Sequence, residues 1–157
     1  MRELRVPKRR VEVELTFTGG ERRIVAVFLS EQAPEHSGPE RVSDVLTRRE
    51  PFFPAIDPTT GETNLVARAA VALARLARAD EPGDADELTI PTEHEVEIHL
   101  RDGQQVGGTL AYVLPPERSR LVDFLNVAPP FFRLLVGGDL LLLVSRDQVA
   151  RVTALSR

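Results

Sequence analysis

The chain has 157 residues, a formal net charge of −4 and no cysteine. Disulfides, thiolate zinc sites and thiol nucleophiles are therefore excluded. No stretch approaches the roughly 20 apolar residues of a membrane-spanning helix, and the acidic balance disfavours whole-molecule attraction to nucleic acid or an anionic membrane.

Residues 1–10 (MRELRVPKRR) read as a basic arm carrying Arg2, Arg5, Lys8, Arg9 and Arg10. It has no apolar run of the secretory-leader type, so the expected location is cytoplasmic. The arm reads as a solvated tail. Its alternative role is phosphate docking, with Arg9 and Arg10 as anion-binding candidates, although no aromatics stand there to stack on bases.

Val11, Val13 and Leu15 alternate with Glu12, Glu14 and Thr16, the period-two pattern of a half-buried strand. Thr18–Glu21 is a turn, and Ile24–Leu29 forms a second strand that closes a hairpin. A Pro- and Gly-bearing loop spans residues 32–40. Arg41–Leu46 has helical spacing and is expected to form one short turn, capped by Ser43 or the loop before it. Pro51-Phe52-Phe53 opens an extended segment to Ile56, followed by a turn at residues 57–61.

Residues 41–53 (RVSDVLTRREPFF) and 120–132 (RLVDFLNVAPPFF) match at one fixed offset. The shared pairs are Arg41/Arg120, Asp44/Asp123, Leu46/Leu125, Pro51/Pro130, Phe52/Phe131 and Phe53/Phe132. The chain is therefore read as two copies of one unit, at residues 11–76 and 93–157, joined by an acidic linker at 77–92. This repeat decides the Ala-, Leu- and Arg-rich stretch Asn64–Arg78. By propensity it is helical, but its counterpart is strand, turn and strand, with Val66, Arg68 and Val71 opposite Val144, Arg146 and Val149.

In the second copy, Val96, Ile98 and Leu100 alternate with charged or polar residues before an Asp102-Gly103 hairpin turn. Val106–Leu114 is the next strand. Residues 115–119 form a loop, with Ser119 as the expected cap of a turn at Arg120–Asn126. Phe131–Val136, Leu140–Val144 and Val149–Leu155 complete five strands. One such unit would be marginally stable alone, so two packed together are expected.

The hairpin Val96, Ile98, Leu100, Asp102, Gly103, Val106, Gly108, Leu110 resembles the first motif of Sm-like proteins, whose features other SH3-like barrels share. Gly108 would permit the bend of a small barrel strand. Ser145-Arg146-Asp147-Gln148 stands where that family carries an Arg-Gly pair, and Pro115–Asn126 is an insertion. The resemblance implies a barrel and association through edge strands, and it carries over no RNA-binding residue. The expected fold is thus mainly β: two tandem five-stranded antiparallel Sm-like or SH3-like barrels, each with a short helical turn, related by a pseudo-twofold.

Motifs for chemistry are few. Glu95, Glu97 and His99 share a strand face, which reads as solvent face before metal site; His94 and His99 face opposite sides. Asp44 and Asp123 read as local hydrogen-bond acceptors or partners of Arg41 and Arg120, ahead of an acid–base pair. No phosphate loop or catalytic triad can be argued, and neither cofactor nor metal is expected. The interaction candidates are Phe52, Phe53, Phe131, Phe132, Arg48, Arg49, Arg118 and Arg120. Arg68 and Arg146, at matching corners, join Arg9 and Arg10 as anion-binding candidates. The favoured reading is a non-enzymatic adaptor or regulatory module that binds a protein partner through strand edges, with no membrane association and with homo-oligomers in scope. The alternatives are an RNA- or nucleotide-binding barrel and a small-anion or second-messenger sensor.

Overall fold

A computed structural model describes residues 8–83 and 90–155. They are mainly β, with ten strands: β1 (Lys8–Phe17), β2 (Arg22–Ser30), β3 (Phe52–Ile56), β4 (Thr63–Ala67), β5 (Val71–Ala77), β6 (Thr92–Leu100), β7 (Gln105–Tyr112), β8 (Phe131–Val136), β9 (Leu140–Ser145) and β10 (Val149–Ala154). Two short helices, α1 (Val42–Thr47) and α2 (Leu121–Val127), follow the second strand of each half. Residues 1–7 of the expected arm lie outside the described residues. Lys8–Arg10 begin β1 rather than extending a tail.

All ten strands join one antiparallel sheet in the order β10-β6-β7-β8-β9-β5-β1-β2-β3-β4. Each half runs fifth, first, second, third, fourth. The expectation of two separate closed barrels is corrected: the sheet is continuous and open. The reason lies in β5. One edge bonds β1, and the other, Leu73–Ala77, bonds Leu140–Val144 of β9. The edge that could have closed the first half is taken by the second half. Because a fifth strand meets a fourth, unlike strands pair. The expected pseudo-twofold would require like strands to meet, so the junction is heterologous instead.

Asn64–Arg78 is strand, 3-10 turn and strand, against its helical propensity. β5 lies centrally and buries Val71, Ala72, Leu73, Ala74 and Leu76. A helix there would strip two ladders of their partner strand, and unpaired buried backbone costs more than the propensity of a few alanines returns.

Two apolar clusters form the core, and each crosses the junction. The first gathers Val11, Val13, Leu15, Val42, Val45, Leu46 and Phe53 with Phe131, Leu141 and Leu143 from the second half. The second gathers Val96, Ile98, Leu110, Phe132 and Leu134 with Ala72 and Leu73 from the first. α1 lies against β8.

The helix starts differ from expectation. Asp44 accepts the N–H of Arg41 at 2.8 Å, and Asp123 accepts that of Arg120 at 3.1 Å. Ser119 Oγ donates to the carbonyl of Pro116 instead of capping α2. Each aspartate is the third-residue half of a capping box, which accepts the N–H of the arginine before the helix; a capping serine would instead accept N–H groups of the first turn. The N–H groups of Val42 and Ser43 go to the carboxylate of Glu81, at 2.8 and 3.0 Å. Glu81 is fully buried. The beginning of the expected linker is therefore packed structure: Arg78–Asp80 form a 3-10 turn, and Arg133 donates to the carbonyl of Glu81 at 2.7 Å. Residues 84–89 lie outside the described residues.

Candidate functional site

β2 and β3 share a single registered pair, Ala26 with Ile56, and β7 and β8 likewise share one, Thr109 with Leu135. The two seams differ in the residue that stands on the second strand of each half. Val11 pairs with Val27, whereas at the corresponding place Val96 pairs with Gly108. A β-carbon on Gly108 would stand 2.5 Å from the carbonyl oxygen of Leu135 and 2.9 Å from Leu134 Cγ. Glycine thus lets β8 lie close to β7, and at the matching place on β2 stands the side chain of Val27, which lines an opening beside β3. The opening is a groove of about 620 Å³, floored by Val27, Phe28, Phe52, Phe53 and Pro54 and rimmed by Lys8, Glu40, Arg48, Glu50 and Arg68.

Four predicted residues, Arg48, Phe52, Phe53 and Arg68, meet in this groove. Their roles divide. Phe53 is buried core, and Phe52, its neighbour on the opposite strand face, is 58% exposed. Arg48 is held by Glu35, at 2.6 Å from Nε, and by Glu40. The hydrogen bond from Arg48 lowers the Glu35 carboxyl below its ordinary range, and the two carboxylates raise Arg48 further. Glu40 also accepts the N–H of Ser30 at 3.0 Å, which pins the loop against the end of β2. Arg68 donates to the carbonyls of Val45 at 2.7 Å, Phe52 at 2.9 Å and Glu50. It also lies over the Phe53 ring, 5.2 Å from the centroid. Burial lowers its pKa.

The other anion candidates are similarly engaged. Arg146 donates to the carbonyl of Ala128. The backbone N–H of each corner arginine meets a proline carbonyl at 2.8 Å, Arg68 with Pro51 and Arg146 with Pro130. Arg9 reaches the carbonyls of Asp80 and Glu40, and Arg10 pairs with Glu12 at 3.2 Å. The guanidinium groups of Arg9, Arg68 and Arg146 thus tie separate segments of the fold together, whereas the pair of Arg10 with Glu12 lies exposed on one strand.

The remaining candidates are scattered. Arg49 and Arg118 are exposed, and Arg120 pairs with Asp123 at 3.0 Å, which lowers the aspartate's pKa. Phe131 lies in the cluster of the first half and Phe132 in that of the second. Asp44 accepts from Arg41 and meets His36 Nε2 at 2.7 Å. Both Asp44 and Asp123 therefore serve their own helices. Glu97 meets His99 at 3.0 Å, and among the described residues no three metal-ligating side chains come together. Nor is any described helix long and apolar enough to cross a membrane.

Sequence reasoning passed over Leu65. It sits on β4, whose outer edge ends the sheet, and is 70% exposed. Leu65 pairs with Pro54, so it shares the face of Phe52. A second groove of about 290 Å³ runs between Leu65 and Ile24. The signal was present in the register, since the matching leucine in the second half, Leu143, is wholly buried at the junction.

The comparisons leave the site to be judged on its own geometry. Set against protein families, curated proteins and solved structures, the chain gives no match.

Proposed function

We propose that the chain is a non-enzymatic interaction module, an adaptor or regulatory element built from two copies of one Sm-like or SH3-like unit. It captures a polypeptide partner along the open edge of β4. The observation that carries this reading is the pairing of that edge with exposed apolar side chains. An outermost strand presents unpaired N–H and C=O groups, which recruit a further strand. Soluble proteins usually blunt such an edge with charge or proline. Here Leu65 and Phe52 flank it, and the groove beside it can take the side chains of an added strand.

The arginines favour this reading over an anion or nucleic-acid site. Arg9, Arg48, Arg68 and Arg146 are spent on carbonyls and carboxylates of the chain itself. A salt-dependent phosphate site needs cations that can exchange counterions for the ligand.

A photo-crosslinking residue at position 65 tests the proposal. The expected product is a covalent adduct with a polypeptide, abolished by a proline at Ala67, whose N–H faces the open edge because the alternate residues from Glu62 to Arg68 bond β3. A probe that stays unreacted at 65, while one at Arg118 captures protein or RNA, would move the binding site away from β4 and end this reading.

A further inference from the structure

We infer that the partner strand is β10 of a second copy of this chain, docked head to tail. The inference rests on the edge-capture reading and supplies its partner. It follows from comparing the internal junction with the two ends of the sheet.

At the junction, a face of β8 and β9 carrying Phe131, Leu141 and Leu143 enters the cluster of the first half. Phe131 is 6% exposed and Leu143 is 0% exposed. The receiving side is β5 together with α1, whose Val42, Val45 and Leu46 are buried. The same two surfaces recur at the two ends of the sheet without their counterparts. At one end, β3 and β4 present Phe52 and Leu65, which stand where Phe131 and Leu143 stand, and both are exposed. At the other end, β10 is the last strand, and α2 has no buried residue. Leu121, Phe124 and Leu125, in the places of Val42, Val45 and Leu46, are only partly buried. One end therefore carries the inserting face and the other the receiving face, and only a copy of this chain offers both.

The internal ladder also specifies the register. Leu73 pairs with Val144, Ala74 with Leu143, and Arg75 with Leu142. The corner arginines Arg68 and Arg146 align β5 with β10, and the pairings of β3 with β4 and β8 with β9 align β4 with β9. Carried across, the register sets Val66 opposite Arg151, Leu65 opposite Val152 and Asn64 opposite Thr153 between chains. Such a contact joins unlike surfaces. Each added chain leaves the same two ends free, so association proceeds to a ring if the rotation closes and to a filament if it does not.

The chain has no cysteine, so directed disulfide formation tests the register. Asn64→Cys and Thr153→Cys chains, mixed and mildly oxidised, should give the 64–153 heterodimer in large excess over 64–64 and 153–153 products, because facing Cα atoms in an antiparallel ladder lie within disulfide reach. Sedimentation of the unmodified protein should give a mass above the 17.4 kDa of one chain. Leu65→Lys should return it to one chain with its circular dichroism unchanged, since that side chain is exposed. A dominant 64–64 product would overturn the inference in favour of a twofold contact. A monomer at the highest soluble concentration would overturn it too. If the photo-probe at 65 then captured a different protein, the edge-capture reading would stand without it; if that probe captured nothing, both would fall.

Discussion

The carboxylate of Glu81 accepts the backbone N–H of Val42 at 2.8 Å. Its second oxygen takes Ser43, and the side chain is fully buried. The residue at the end of the 3-10 turn after β5 thus starts the helix that follows β2. Glu81→Ala leaves two helix N–H groups without their acceptor, that of Val42 buried and that of Ser43 partly buried, and loss of a buried partner costs about 1–3 kcal/mol. Urea unfolding should show a lowered midpoint for Glu81→Ala, and a smaller loss for Glu81→Gln, which keeps one acceptor oxygen.

Gly108 sets how closely β7 and β8 approach. Gly108→Ala places a carbon where the Leu135 carbonyl stands, and backbone cannot yield as a side-chain tip can. Overpacking of this kind costs about 1–3 kcal/mol. Thermal unfolding should show a clear drop for Gly108→Ala, and Gly138→Ala, where a β-carbon meets nothing within 4 Å, should be close to neutral.

The corner arginines are expected to act on stability. Arg68→Gln and Arg146→Gln each remove charged donors from backbone carbonyls, and hydrogen bonds of that class contribute about 1.5–3 kcal/mol. Arg118→Gln, on an exposed residue, should change stability by less than about 0.5 kcal/mol. Equal effects at all three positions would contradict the clasp role.

His36 introduces a pH dependence. The carbonyl of Ser37 and the carboxylate of Asp44 raise its pKa above the ordinary value. A raised folded-state pKa favours the protonated ring in the folded chain. The stabilisation is complete below the ordinary histidine value and disappears as pH rises through the raised one. The difference in melting temperature between wild type and His36→Gln should therefore be larger near about pH 5.5 than near about pH 8.5. A difference that is constant across that range would show that the ring is not held in its charged form.

Much of the secondary structure was legible in the residues. The alternation of Val11, Val13 and Leu15, the Asp102-Gly103 turn and the uninterrupted Leu140–Val144 run are local signals, and the strands fall where those signals place them. Asn64–Arg78 was legible only through its partner stretch, because propensity alone pointed to helix. The site was less legible. Arg48, Arg68 and the paired phenylalanines were found by their recurrence. Recurrence cannot show that Phe131 is covered while Phe52 is exposed, since that difference depends on which half lies against which.

By itself the sequence determined a mainly β chain, its turn positions and the recurring Arg-x-x-Asp and Pro-Phe-Phe segments, because strand period, glycine turns and short helical spacing are encoded by near neighbours. The tertiary structure alone decided that β5 bonds β9, that the sheet stays open, that Glu81 is buried at the start of α1, and that Leu65 and Phe52 remain uncovered. Strand partnership across the junction is a competition between distant edges for the same backbone hydrogen bonds. Its outcome depends on which edges and apolar faces meet in space, which no local pattern records.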